Sequence, residues 1–145
     1  MKKKATIIIG IIALLVLGVA IWWFSPKIFL NNVNPGDIAS IEVFNGNTGK
    51  KFTITEQEDI SFITGNVQSV SMKKEKITVR MGYKYNMKFV NESGNEIDKF
   101  ILMGPTTIKK GVIFYKCDGQ LKLVENYLAS LENKQSSNKD GEVGN

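Results

Sequence analysis

The sequence predicts an α+β protein: an N-terminal transmembrane helix followed by a two-layer domain in which an antiparallel sheet of about six to seven strands carries two helices on one face. Three observations lead there. Residues 5–24, ATIIIGIIALLVLGVAIWWF, contain no charged side chain. Much of residues 37–116 alternates apolar and polar side chains between Gly- and Asn-rich turns. The stretches after Thr55 and after Asp118 instead repeat apolar residues at intervals of three and four.

At a rise of roughly 1.5 Å per residue, residues 5–24 make a helix about 30 Å long, the thickness of a bilayer's hydrocarbon core. A partner for the chain is therefore the lipid bilayer itself. Lys2, Lys3 and Lys4 precede the apolar run, whereas Lys27 is the only cation in the fifteen residues that follow it. Positive charge stays on the cytoplasmic side, so residues 1–4 are expected inside and the domain outside. Trp22 and Trp23 then fall at the outer interface, where an amphipathic ring is at home. The alternative is a cleaved signal peptide, with Gly18 and Ala20 as the small residues of the cut site and a secreted product. The only cysteine is Cys117, so no acylated cysteine follows the apolar run.

The remaining elements follow in order. Residues 25–36 read as a stalk, broken by Pro26 and Pro35-Gly36 and rich in Asn. The domain proper is expected over 37–132. Ile38, Ile41 and Val43 alternate with polar residues up to Asn45-Gly46-Asn47-Thr48-Gly49, and a second run covers 50–55, which predicts a β-hairpin. Thr55 and Glu58 have the spacing of a capping box, and Ile60, Ile63 and Val67 give the helix behind it one apolar face. Ile77, Val79 and Met81, then Tyr83, Tyr85, Met87 and Phe89, mark two strands with one wet face. Residues 97–102 form the next strand, and 106–109 with 112–116 a hairpin around Lys110-Gly111. Leu121, Val124, Leu128 and Leu131 predict the second helix. Residues 133–145, NKQSSNKDGEVGN, have no apolar period and are expected to be disordered.

The strand pattern Ile38-Ala39-Ser40-Ile41-Glu42-Val43 followed by Thr48-Gly49-Lys50, the helix start at Thr55 and Tyr115 before the last helix resemble small extracytoplasmic domains that Gram-positive bacteria attach to one N-terminal helix or lipid. Some of these have a sheet like that of the TATA-binding protein. The resemblance implies a fold and an address at the cell membrane; it carries no catalytic residue.

Composition restricts the chemistry. The chain has no histidine, so Ser-His-Asp and Cys-His catalysis and histidine-based zinc sites are excluded. Gly46-Asn47-Thr48-Gly49-Lys50 is too short between its glycines for a phosphate loop, and a strand follows it. Glu56, Glu58 and Asp59 are explained by the preference of helix N-termini for acids. A lone Cys117 permits no disulfide within the chain and reads as a small buried hydrophobe. Removing Lys2, Lys3 and Lys4 from the 19 cations leaves 16 against 14 acids, an ordinary surface, and an external address removes nucleic acid as a partner.

One group stands out. With Ile77 and Val79 toward the core, Lys74, Lys76, Lys84, Lys88 and Arg80 are expected to share the outward face of the sheet. Such a face suits an anionic surface or polymer of the envelope, or another envelope protein; alternatively, lysines there only prevent edge pairing. The expected function is that of a non-enzymatic, membrane-anchored extracytoplasmic binding module needing no cofactor and no metal. The alternatives are an inhibitor or sensor-accessory domain acting on an envelope enzyme, and a histidine-free enzyme.

Overall fold

The structure is a computed structural model that describes residues 2–78, 82 and 84–140, with the side chains of 4–137 within those ranges. A 23-residue helix, α1 (Lys2–Phe24), stands at the N-terminus. Its Lys4–Phe24 portion has a mean hydropathy of 2.8 and is long and apolar enough to cross a membrane. No residue of that span is buried against the rest of the protein.

Beyond α1 the chain builds β1 (Lys27–Ile28), a 3-10 turn (Pro35–Asp37), β2 (Ser40–Asn45), β3 (Lys51–Ile54), α2 (Gln57–Gln68), β4 (Ser71–Ile77), β5 (Tyr85–Val90), β6 (Glu96–Gly104), β7 (Thr107–Lys110), β8 (Ile113–Lys116) and α3 (Lys122–Asp140). The strands form one sheet in the order β1-β4-β8-β7-β6-β5-β2-β3, and every neighbouring pair is antiparallel. This is the expected α+β architecture with slightly more strands, because the alternation was too brief at β1 to show. Gly49 and Gly94 sit at φ +73° and +79° in the turns after β2 and β5, a backbone region that side chains with a Cβ disfavour.

Both helices lie on one face of the sheet. Ile60, Ile63 and Val67 of α2 and Val124, Leu128 and Leu131 of α3 pack into one cluster with Ile41, Val43, Met87, Phe89, Phe100, Leu102 and Ile108 from the strands. Tyr127 Oη of α3 donates to Asp59 Oδ1 of α2 at 2.6 Å, and its ring meets Phe62 at 4.3 Å, tying the helices together.

Four expectations need correction. The stretch expected as a stalk is folded into the domain: Lys27 and Ile28 align with Met72 and Ser71, and Phe29, 1 % exposed, packs on Phe100 and Tyr115 at 5.2 and 5.0 Å between ring centroids. Leu30 is also buried and takes φ +60°, with its carbonyl and that of Val33 both accepting from Gln68 Nε2 of α2 at 2.7 Å. The aromatic and aliphatic content of Ile28-Phe29-Leu30 outweighs the turn residues around it.

The capping box does not form. The residue preceding the first turn of α2 is Glu56, and no side chain caps it. At the other end of the domain, residues 133–140 continue α3 rather than forming a disordered tail. Gln135 Nε2 donates to the Thr53 carbonyl at 3.0 Å and Lys50 Nζ to Ser136 Oγ at 3.0 Å, so polar contacts with the first hairpin replace the missing apolar stripe.

The fourth correction concerns register. Lys74 aligns with Tyr115 and Lys76 with Phe114, leaving Glu75 as an extra residue in a β-bulge. Residues on the two sides of the bulge change faces. Ile77 follows the outward Lys76 and aligns with Ile113, which packs against the core, so it keeps its expected side, but at the end of β4 it is 61 % exposed, whereas Met72 before the bulge is buried. Val79, Met81 and Tyr83 lie outside the described residues.

A lysine-lined sheet face as the candidate binding site

The face of the sheet turned away from α2 and α3 is built from the residues alternating with the core. On β5, Met87 and Phe89 point inward, so Asn86 and Lys88 point outward. Pairing carries this assignment across the sheet. Lys88 aligns with Glu42 on β2 and with Lys99 on β6, and Asn86 with Phe44 and Ile101. Phe44 aligns with Lys51 on β3, Ile101 with Lys109 on β7, Lys109 with Phe114 on β8, and Phe114 with Lys76 on β4. Lys116 and Lys73, two to three residues along the same strands, are aligned with each other.

The face thus collects Lys51, Lys73, Lys76, Lys88, Lys99, Lys109 and Lys116, with Glu42 and Glu75 as the acids among them. Lys88 Nζ is 3.2 Å from Glu42 Oε2 and Lys116 Nζ is 3.4 Å from Glu75 Oε1. Two aromatic rings support the cations. The ammonium of Lys51 lies 5.8 Å from the Phe44 ring, and those of Lys76 and Lys109 lie 5.3 and 5.7 Å from Phe114. Lys109 is itself buried, whereas Lys51, Lys73, Lys76, Lys99 and Lys116 are exposed. Two directly opposed pairs, Lys88 with Lys99 and Lys73 with Lys116, set like charges against each other, an arrangement that lowers sheet stability.

At the β3 end the face forms an open pocket of about 330 Å³ lined by Glu42, Phe44, Lys51, Thr53, Asn86, Lys88 and Lys99. The Asn86 side-chain oxygen is buried there and has no hydrogen-bond partner. On the helix-covered side, carboxylates stand beside two tyrosines. Burial pushes up the pKa of Tyr85, with the carboxylates of Glu132 and Glu125 adding to the effect. The hydrogen bond to Asp59 carries Tyr127 up to about 12, helped by desolvation and the charges of Asp59 and Glu58.

Of the residues expected on one face, the structure brings together Lys76 and Lys88. Lys74 lies before the bulge, on the other face, where its ammonium meets the Trp22 carbonyl at 2.6 Å and the Trp22 ring at 4.5 Å. Lys84 pairs with Glu125 in the first turn of α3, on the helix side. Arg80 lies outside the described residues, as do the side chains of Lys2 and Lys3. Lys4 is exposed at the start of α1, and Trp22 and Trp23 lie at its end with ring centroids 6.2 Å apart. Cys117 is buried, its thiol 3.8 Å from the Pro105 carbonyl.

Sequence reasoning missed Lys51, Lys73, Lys99, Lys109 and Lys116. The signal was present in strand parity: each of Lys51, Lys99 and Lys109 stands beside a core residue, namely Phe52, Phe100 and Ile108. Among the described residues no group of three or more His, Cys, Asp or Glu side chains could hold a metal ion. No protein-family model, curated protein or solved structure matches this chain, and its functional reading rests on its own residues.

Proposed function

We propose that the chain is a membrane-anchored extracytoplasmic binding module without catalytic activity, which uses the lysine-lined face of its sheet to hold an anionic partner at the cell envelope. The observation that carries the reading is the asymmetry of the sheet: one face is covered by α2 and α3, while the other gathers lysines in mutual repulsion. An anion placed between opposed ammoniums relieves that repulsion, an interaction weakened by salt.

Retention of α1 as an anchor is supported at the joint between helix and domain. Lys74 places its cation at the C-terminal carbonyls of α1, where the helix dipole favours it, and Ser25 Oγ donates to the Ile21 carbonyl at 2.6 Å. Only Ser25 and Pro26 separate α1 from β1. The lysines before the apolar run favour a cytoplasmic N-terminus and an external domain.

The test is sedimentation of the full chain, held in nanodiscs of neutral lipid, with lipid-extracted envelope fragments. The protein should sediment with the fragments at low salt, and a variant carrying Lys51→Glu, Lys76→Glu, Lys88→Glu and Lys99→Glu should remain in solution. Equal sedimentation of the two proteins would refute the assignment of the face.

A further inference from the structure

We infer that the pocket at the β3 end of the lysine face is a site for a phosphorylated polyol, a ligand that joins an anionic phosphate to neighbouring hydroxyls. The inference rests on the binding-module reading and adds the chemistry of the ligand. Three ammonium-bearing side chains, Lys51, Lys88 and Lys99, line the pocket against one carboxylate, Glu42. Lysine presents a point charge with three donors, which suits the oxygens of a phosphate without demanding a fixed fork geometry. The cationic side of the pocket therefore requires an anion.

The rest of the lining asks for something else. Asn86 lines the pocket and its side-chain oxygen has no partner; a rotation of the amide toward the pocket lets that acceptor be completed by a donor, for which inorganic phosphate has only its P–OH while a polyol has several hydroxyls. A ligand hydroxyl supplies it. Thr53, which aligns with Glu42 across β2 and β3, adds a hydroxyl, and the carboxylate of Glu42 accepts from further ligand hydroxyls. The volume of about 330 Å³ admits one such unit rather than a folded partner. The position in the fold fits a ligand from outside the bilayer surface: α1 meets the sheet at β4, next to the β1 edge, and β3 is the opposite edge.

The experiment uses the full chain in neutral nanodiscs, titrated by calorimetry with glycerol phosphate, inorganic phosphate and glycerol, and separately mixed with phosphatidylglycerol vesicles. Glycerol phosphate should bind at least about tenfold more tightly than inorganic phosphate, and glycerol should not bind measurably. Lys99→Gln should weaken both anions about tenfold. Asn86→Val should remove the preference for glycerol phosphate while leaving the affinity for inorganic phosphate unchanged, a separation that loss of folding would not produce.

Binding of soluble glycerol phosphate identifies a free or polymeric source. Capture of vesicles alone, with the same response to Lys99→Gln and Asn86→Val, identifies a lipid headgroup. Equal affinity for glycerol phosphate and inorganic phosphate, both lost in Lys99→Gln, would overturn the polyol assignment and leave the anion-binding face intact. Absence of all anion binding, with no effect of the lysine substitutions on envelope sedimentation, would overturn both.

Discussion

On the helix-covered face, Met87, Phe89 and Phe100 are at most 2 % exposed and belong to one apolar cluster with Phe29 and residues of α2 and α3. One residue along the same strands, Lys88 and Lys99 stand opposite each other in water. Alternate positions of one backbone therefore meet different demands. The inner positions are filled to the point where any truncation leaves a void, whereas the outer ones oppose like charges at Lys73 and Lys99, where a substitution can relieve repulsion. Stability is concentrated on one face of the sheet, and the anion recognition we propose is assigned to the other.

The most damaging way to probe the inner face is Phe29→Ala. This side chain closes the core from a segment outside the main run of strands, its ring tilted against Phe100 and edge-on to Tyr115. Its removal should lower stability by about 3–5 kcal/mol. The measurement is the denaturant midpoint of the full chain in detergent micelles. A change below about 1 kcal/mol would mean that residues 27–30 are dispensable to the fold.

A smaller effect is expected at the polar rim of the same face. Glu132 on α3 is buried and accepts from Asn45 Nδ2 at 2.7 Å and from Thr48 Oγ1 at 2.8 Å, fastening the last helix to the first hairpin. Glu132→Ala leaves both donors without this acceptor and should cost about 2 kcal/mol. Hydrogen exchange in residues 45–49 should rise with it.

What the sequence made legible follows the same division. The period of two in β2 and β5 and the three-and-four spacing in α2 and α3 identify most of the core, because burial requires a repeated pattern. Phe29 was hidden because it follows a strand, β1, of only two residues, too few to establish a period. The lysine face was visible only in part because Glu75 in the bulge reverses the parity of β4, sending Lys74 and Lys76 to opposite faces. Opposed pairs such as Lys73 with Lys116 depend on strand register, which no single segment encodes.

Alkaline pH gives a gentler probe of the helix side. Tyr127 has a pKa raised from 10.0 to about 12, so the folded state favours the protonated phenol. Its contribution is fully present below pH 10 and is lost as pH rises through about 12. Tyr127→Phe should lower stability at pH 8 by about 1 kcal/mol, and the difference from the unaltered protein should narrow between pH 10 and 12. Because Phe keeps the ring against Phe62, a constant difference across that range would contradict the assignment of the effect to the hydrogen bond with Asp59.

The outer face should respond in the opposite direction. Lys73→Glu and Lys99→Glu each convert an opposed like-charge pair into an attractive one, and each should raise stability by a few tenths of a kcal/mol. The most direct measurement combines both substitutions in the full chain and follows thermal unfolding at low salt together with sedimentation on envelope fragments. The variant should unfold at a higher temperature and lose its hold on the fragments. Reduced stability, or undiminished binding, would contradict the assignment of this face to anion recognition.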